Sequence, residues 1–194
     1  MSTSKPLRAD AARNREAILR AAGHVLAREG LHFRIDEVAR AAGVGNATLY
    51  RHFPDHAALV DAAMAEKTSA YAEALEQTAR LSSRDPATAF EQLVGHLTTH
   101  QAHDRAFAQL IGSDAGPCAS QLRRAFDASL AICEAARRAE VIRPDFEHAD
   151  LLLLVRAIDG LLLADPVATP ALAQRLSSLF LDAVRHPARH TDLG

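Results

Sequence analysis

Several residue types are scarce in this sequence of 194 residues, and each scarcity narrows what the chain can be. Tryptophan is absent and aromatic residues make up only 5%, whereas hydrophobic residues, chiefly Ala and Leu, make up 48%. Because strands favour aromatic and β-branched residues, this composition favours helices packed on helices. Only nine glycines are present, which leaves little from which to build a Gly-rich nucleotide-binding loop.

Cysteine and long apolar runs are also scarce. The sequence contains only Cys118 and Cys133, and its first residues lack the apolar core of a signal peptide. We therefore expect a cytoplasmic location and reduced thiols. The most apolar stretch, residues 151–164, is too short to cross a bilayer and contains Arg156 and Asp159, so no membrane partner is expected.

The formal net charge of −2 is distributed unevenly. Residues 1–60 contain nine Lys and Arg against six Asp and Glu, whereas residues 61–194 contain thirteen against eighteen. A basic N-terminal region followed by an acidic remainder suits a protein that meets a polyanion at one end. Chance unevenness is the alternative, so the charge supports this interpretation without establishing it.

Apolar residues recur at helical spacing through most of the chain, with Gly and Pro between the segments. The pattern predicts an all-α fold of about nine helices and no strand. Asp55 and Asp85 are predicted to cap helices, the second followed by Pro86. The clearest helical segments are residues 10–28, 35–42, 46–52, 55–81, 86–97, 118–139, 148–164 and 170–184.

The segment from Ile35 to Phe53 carries the main functional signal. Two short helices joined by a tight turn with Gly43 and Gly45 form a helix-turn-helix pattern, in which the second helix enters the DNA major groove. A simple pair of bundle helices is the alternative. The small core predicted to hold the two helices together consists of Val38, Ala39, Ala42, Val44, Leu49 and Phe53.

The outward residues of the second short helix suit DNA recognition. Asn46 and Thr48 can contact base edges, and Tyr50 and Arg51 can reach phosphates. The start of the following helix, at Asp55 and His56, would offer free N–H groups to a phosphate. Salt-dependent contacts are also expected from Lys5, Arg8, Arg13 and Arg15.

Residues 38–53, Val-Ala-Arg-Ala-Ala-Gly-Val-Gly-Asn-Ala-Thr-Leu-Tyr-Arg-His-Phe, closely resemble the signature of the tetracycline-repressor (TetR) family. The flanking segments Ala17-Ile18-Leu19-Arg20-Ala21-Ala22 and Ala57-Ala58-Leu59 agree with it, as does Gly30, so that the resemblance covers residues 10–65. It implies a three-helix DNA-binding head and a homodimer on a palindromic operator. A helical body would hold the effector pocket and the dimer face, and most members repress until ligand binds.

The resemblance also implies a division of the chain and a set of DNA contacts. We predict a flexible basic arm (1–9), the DNA-binding domain (10–65), an effector-binding and dimerisation domain (66–186) and a tail (187–194). Three positions depart from the family pattern: Arg34 and Gly45 stand where a capping Ser or Thr is common, and His56 replaces a frequent Lys. The DNA contacts that the resemblance implies fall on Asn46, Ala47, Thr48, Tyr50, Arg51 and His56. The predicted DNA-binding residues also include Arg34, His52, Arg8 and Arg13.

Two C-terminal segments are predicted to form the dimer interface. Residues 148–164 are apolar on nearly every side, so they need burial on more than one side, either against a twofold mate or as a central core helix. Arg156 and Asp159 are predicted to pair with each other. The interface candidates are Leu151, Leu154, Leu161, Leu172, Leu176 and Leu179.

Three histidines follow the spacing i, i+4, i+7, which places them on one helix face. This face has three interpretations: a solvated polar stripe, the lining of a ligand pocket, or a divalent metal site. We expect no cofactor. The effector-pocket candidates are His96, His100 and His103 of this stripe, together with Phe107, Cys118, Phe126 and Arg156.

The sequence therefore predicts a ligand-responsive transcriptional regulator that binds DNA as a dimer, and not an enzyme. The alternative is a His-rich metal-binding protein or metalloenzyme, although no His-Glu-x-x-His motif is present. A Cys/His hydrolase is a third possibility, against which stands the lack of a Gly-x-Ser-x-Gly elbow. Cys133 has the setting of a packing residue, and Cys118, beside Pro117, is the better candidate for a reactive thiol.

Overall fold

The computed structural model describes residues 4–102, 104–111 and 116–185, and of residues 4–9 it describes the backbone alone. Within these ranges the protein is all-α, as predicted, with nine α-helices, a 3-10 turn at Gly30–His32 and one isolated antiparallel bridge between Ile142 and Arg185. The helices are α1 (Ser4–Glu29), α2 (Ile35–Ala42), α3 (Asn46–His52), α4 (His56–Leu81), α5 (Pro86–Gln101), α6 (Arg105–Leu110), α7 (Ala119–Arg138), α8 (His148–Ala164) and α9 (Thr169–Val184).

The first helix is longer than the sequence pattern indicates. It begins at Ser4, where the sequence pattern suggests a flexible arm as far as residue 9. Pro6 does not break it because, in the first turn of a helix, the backbone N–H that proline lacks has no intrahelical partner in any case. Residues 4–9 are therefore helical, and the first three residues of the predicted arm lie outside the described residues.

Two predicted helix starts are confirmed by their caps. The Asp55 carboxylate accepts a hydrogen bond from the backbone N–H of Ala58 at 2.7 Å, and Asp85 accepts one from the N–H of Thr88 at 3.0 Å. Hydrogen bonds from the first turn of α5 hold the pKa of Asp85 below its ordinary value. Both carboxylates satisfy N–H groups that the helix itself leaves unpaired.

The chain divides into two compact units. The N-terminal unit contains the residues up to Ser69 and the segment Asp104–Leu122, and the second unit contains Ala70–His103 and the residues from Arg123 on. The division falls inside α4, so this helix belongs to both units. The sequence analysis does not predict α6, which belongs to the N-terminal unit and packs there against α1 and the 3-10 turn.

In the second unit, α5, α8 and α9 pack against one another. Helix α9 runs antiparallel to α5, since the Thr98 hydroxyl hydrogen-bonds to that of Ser177 and Glu91 forms an ion pair with Arg185 at 3.5 Å. Phe90 at the start of α5 meets Phe146 edge to face, with ring centroids 5.5 Å apart. Among the described helices, none combines the length and the apolar character that crossing a membrane requires.

Candidate nucleic-acid interface

The turn between α2 and α3 depends on one glycine. Gly43 ends α2 in the left-handed conformation, with φ 68°, and the N–H of Val44 donates to the carbonyl of Ala39 at 3.0 Å. A glycine adopts this conformation without the steric penalty that a side chain would bring. The local sequence thereby sets the direction in which the chain enters α3.

The core that holds α2 and α3 together is largely the predicted one. Val38, Ala39, Leu49 and Phe53 are buried, and Ala42 and Val44 are half-buried. In the N-terminal unit α1 packs against both short helices, with Ile18, Ala22 and Leu26 fully buried. The two short helices therefore pack on a common apolar core to which α1 also contributes.

The outer face of α3 presents most of the predicted contact residues to solvent. Asn46, Ala47 and Arg51 are exposed, and Tyr50 keeps 49% of its surface accessible although it is large and aromatic. Thr48 is half-buried. His52 differs from the expectation, because its Nε2 is buried and hydrogen-bonds to no described residue.

The weak cap that the sequence suggests at the start of α3 is present. Gly45 occupies the N-cap position with φ −75° and ψ 152° and offers no side-chain hydrogen bond. Its carbonyl accepts hydrogen bonds from the N–H groups of Thr48 and Leu49, at 2.9 and 3.1 Å. The recognition helix therefore begins with a backbone cap alone.

Three basic side chains near α3, those of Arg13, Arg15 and Arg34, have partners within their own unit. The Arg34 guanidinium binds both carboxylate oxygens of Asp36, at 3.0 and 3.3 Å, and this contact holds the pKa of Asp36 below its ordinary value. Arg13 forms an ion pair with Asp10, and the Arg15 guanidinium lies 5.4 Å from the ring centre of Phe53. The Arg8 side chain lies outside the described residues. These pairs are exposed, so exchange for a phosphate partner is inexpensive.

His56, at the first position of α4, stacks on the ring of Phe33, with centroids 4.3 Å apart and planes at 30°. The half-buried imidazole is therefore held by stacking beside the first turn of α4, where the Asp55 carboxylate already accepts the N–H of Ala58. It also borders a cavity of about 530 Å³ whose lining includes Phe33, Val60 and Pro117.

The sequence analysis missed two contacts that position these elements. The Gln109 side chain of α6 accepts a hydrogen bond from the N–H of Leu31 at 2.7 Å, and Gly30, with φ 78°, leaves no room for a Cβ beside that amide. Asp104 is only 4% exposed, caps α6 by accepting from the N–H of Phe107 at 2.9 Å, and forms an ion pair with Lys67 of α4. The only sign of these contacts in the sequence is that Asp104 and Gln109 are polar residues beside a short apolar segment.

The predicted effector-pocket residues do not form one cluster within either unit. His96 and His100 are half-buried in the second unit, where they lie against Thr78 and Tyr71 of α4. Burial lowers the pKa of His96. His103 lies outside the described residues. Phe107 belongs to the N-terminal unit, as does Cys118.

The two remaining pocket candidates lie at the surface. Phe126 is exposed on α7 and meets His148 edge to face at 4.6 Å, because Ala125, Ala128 and Ile132 form the buried side of that helix. Arg156 is exposed and forms no ion pair with Asp159 among the described contacts, which corrects the predicted pairing.

The metal and thiol hypotheses receive no geometric support from the described residues. No three His, Cys, Asp or Glu side chains among them are grouped so that they could hold a metal ion. Both cysteines are buried, and burial raises the pKa of Cys133 to about 12 and also raises that of Cys118. Such thiols remain protonated and pack as small apolar groups.

The predicted dimer residues divide into two groups. Leu151 and Leu154 are buried inside the second unit, so they have no surface to offer a partner, which corrects their assignment. Leu161 and Leu176 are half-buried, whereas Leu172 and Leu179 are exposed. The structure adds two exposed leucines of α8 that the sequence analysis did not name, Leu153 and Leu163.

Two short helices set at a glycine turn on a common core, with an exposed polar face on the second, define a helix-turn-helix DNA-binding protein. The family model "Bacterial regulatory proteins, tetR family" matches residues 18–63. A search of curated proteins finds no match to the chain.

Solved structures agree with the family model. The TetR transcriptional regulator SCO0520 from Streptomyces coelicolor is 29% identical, covering 90% of this chain and 99% of that one, with a TM-score of 0.57. The TetR transcription regulatory protein from Mycobacterium vanbaalenii is 32% identical over 93% and 99%, with a TM-score of 0.47. FadR from Bacillus subtilis, solved with stearoyl-CoA, is 15% identical over 88% and 99%, with a TM-score of 0.56. The chain belongs to the TetR family of transcription regulators.

Proposed function

We propose that the protein is a ligand-responsive repressor that binds a palindromic operator as a homodimer and leaves it when a small effector binds. The observation that carries this proposal is the exposed polar face of α3 on a fully buried base, with Leu49 and Tyr50 adjacent in sequence and opposite in exposure. The protein would act in the cytoplasm, where DNA is reached directly, and would catalyse no reaction.

In this proposal α3 lies in the major groove. Asn46 and Thr48 contact base edges, and Tyr50, Arg51 and the His56 end of α4 contact phosphates. Arg34 and Arg13 would exchange their exposed carboxylate partners for phosphates, a step that depends on salt concentration. His52 would contribute mainly to packing, because its Nε2 is buried.

The exposed leucines of α8 and α9 support dimerisation. Leu153 and Leu163 of α8 and Leu172 and Leu179 of α9 are large apolar side chains left at the surface of the second unit. Helices α8 and α9 pack together, so a twofold mate would build a four-helix contact on them. Two such subunits would present two copies of α3 to the two half-sites of a palindrome.

Effector release is proposed to act through α4. This helix runs unbroken from His56, beside the recognition helix, into the second unit. A ligand bound among the helices of the second unit would change the spacing of the two recognition helices, and half-sites separated by a fixed helical repeat would no longer match. The FadR relative was solved with stearoyl-CoA, which supports a ligand role for this fold.

Selection of bound sequences from random duplex DNA tests the proposal. We expect the full chain to enrich a palindrome, and we expect Tyr50→Ala to weaken binding to it by roughly 10-fold, because α3 loses a phosphate contact. Phe126→Ala is the matched control, since it removes an exposed aromatic ring from the second unit.

The outcomes separate the proposal from its alternatives. Equal affinity of the wild type and of Tyr50→Ala for the enriched palindrome would remove the face of α3 that carries Tyr50 from the DNA contact. Once the operator is known, a compound that binds the protein without changing operator affinity would contradict the release step, although it would leave DNA binding intact.

A further inference from the structure

Gln101, the last residue of α5, occupies a position that the helix otherwise fills with apolar side chains. Phe90, Val94, Leu97 and Gln101 follow the spacing i, i+4, i+7, i+11, which places them on one face of the helix. All four are buried, and Gln101 is 0% exposed. An uncharged amide thus stands at the C-terminal end of a buried apolar face.

Both polar atoms of this amide lack partners. Neither Oε1 nor Nε2 of Gln101 hydrogen-bonds to any described residue. The Thr98 hydroxyl, one turn earlier on α5, is already engaged with the Val94 carbonyl and with Ser177. Because buried polar groups are almost always paired, and a leucine would fit an apolar interior better, the amide calls for a partner that is not among the described residues, either a buried water or a ligand.

Neighbouring contacts show where the side chain lies within the second unit. His100, the preceding residue, is turned toward Tyr71 of α4, and Thr98 is turned toward Ser177 of α9. By helical spacing Gln101 lies between these two directions. On the surface of α5 Gln101 therefore lies between the side that faces α4 and the side that faces α9, and it is fully buried there.

The charge of the surroundings restricts what the partner can be. The buried polar side chains described in the second unit are all neutral, namely Thr78, Ser82, Thr98, Gln101, Ser129, Thr169 and Ser177. Asp159 and Arg143 each have one buried polar atom without a hydrogen bond, Oδ1 and Nε respectively, although both side chains are partly exposed. Burial lowers the pKa of both His96 and His148, which disfavours their charged forms. A charged ligand would lose its hydration there without gaining a fully buried counter-charge.

We infer that Gln101 anchors the effector, and that the effector is an uncharged, mainly apolar molecule with an N–H donor beside a carbonyl acceptor, as in a lactam or a primary amide. The carboxamide of Gln101 would form two parallel hydrogen bonds to such a group, donating from Nε2 and accepting at Oε1. That this ligand acts as an effector rests on the proposed function, but its binding can be measured without DNA.

The first test is the stability of the ligand-free protein. Gln101→Leu removes an unpaired amide and adds apolar contact, so we expect the midpoint of thermal unfolding to rise by roughly 2–6 °C. Gln92→Leu is the matched control, the same change at an exposed position of α5, and should leave the midpoint within about 1 °C of the wild type. A lower midpoint for Gln101→Leu would show that the amide is satisfied within the protein, and the inference would be wrong.

The second test uses three probes of similar size at millimolar concentration in thermal unfolding without DNA: ε-caprolactam, N-methylcaprolactam and cyclohexanecarboxylate. We expect caprolactam alone to raise the midpoint, by about 2–4 °C, in the wild type and in Gln92→Leu but not in Gln101→Leu. Equal shifts from the N-methyl compound would remove the donor requirement, and a shift from the carboxylate alone would contradict the neutral class. No shift from caprolactam in the wild type would also overturn the proposed class.

The result is independent of the operator experiment. A lactam response that depends on Gln101, in a protein that enriches no DNA sequence, would retain this site and refute the proposed repressor. Enrichment of a palindrome without any lactam response would retain the proposed repressor and refute this ligand site.

Discussion

The two units of this protein differ in where they place the polar side chains that are proposed to bind a ligand. In the N-terminal unit these side chains are at the surface, where Tyr50 and Arg51 are exposed on a helix whose opposite side is buried. In the second unit the unusual polar group is inside, where Gln101 is completely buried among apolar neighbours. The comparison suggests two kinds of recognition, one at a solvated surface and one in an interior.

The physical demands of the two proposed ligands explain this difference. DNA is too large to enter a protein and carries a dense negative charge, so it is met by exposed side chains that exchange one ionic partner for another. A small neutral molecule has no charge to attract it, and its binding free energy comes from apolar burial with a few placed hydrogen bonds. Each unit carries the groups that its own proposed ligand requires.

The largest effect is expected from removing the base beneath the recognition helix. Leu49 is fully buried in α3, so Leu49→Ala should lower the free energy of unfolding by about 2–5 kcal/mol and abolish operator binding. Urea denaturation and operator titration measure the two effects. Val167→Ala, at a position 91% exposed, is the control and should change stability by less than about 0.5 kcal/mol. If the two variants were equally stable, α3 would not depend on this base.

An intermediate effect is expected at the exposed face of α8. Leu163 is 54% exposed, so Leu163→Asp should leave the subunit folded but raise the dimer dissociation constant by roughly 10- to 100-fold, because a charge would be buried at the contact. Sedimentation analysis at several protein concentrations measures this. Ala131→Asp places the same charge on an exposed position of α7 and is the control. Unchanged dimerisation in Leu163→Asp would locate the dimer contact elsewhere.

The smallest effect is expected at the start of α3. Gly45 has N-cap backbone angles, makes no side-chain cap, and leaves open space where a Cβ would stand. Gly45→Ser should therefore raise the free energy of unfolding by roughly 0.5–1 kcal/mol, through a cap hydrogen bond and a less flexible unfolded chain. Gly45→Ala supplies the Cβ without the hydroxyl and should be less stable than Gly45→Ser. If the two variants were equally stable, the hydroxyl would contribute no cap.

The sequence predicted the N-terminal unit well because its signals are local. Gly43, the cap at Asp55, and the buried positions Val38 and Leu49 all act within one or two turns of helix, so their spacing is readable along the chain. The second unit was predicted less well. Phe126, predicted to line the effector pocket, is exposed because other residues of α7 form its buried side, and Leu151 and Leu154 turn inward where an interface was expected.

By itself, the sequence determined the helix-turn-helix, its family, the all-α class and most helix boundaries, since these follow from short-range spacing and backbone preference. Only the tertiary structure decided that Asp104 pairs with Lys67, that Phe107 joins the N-terminal unit, and that Gln101 is buried without a partner. Each of these depends on which distant segments meet. A helical period shows which residues share a face, but it does not say what that face packs against.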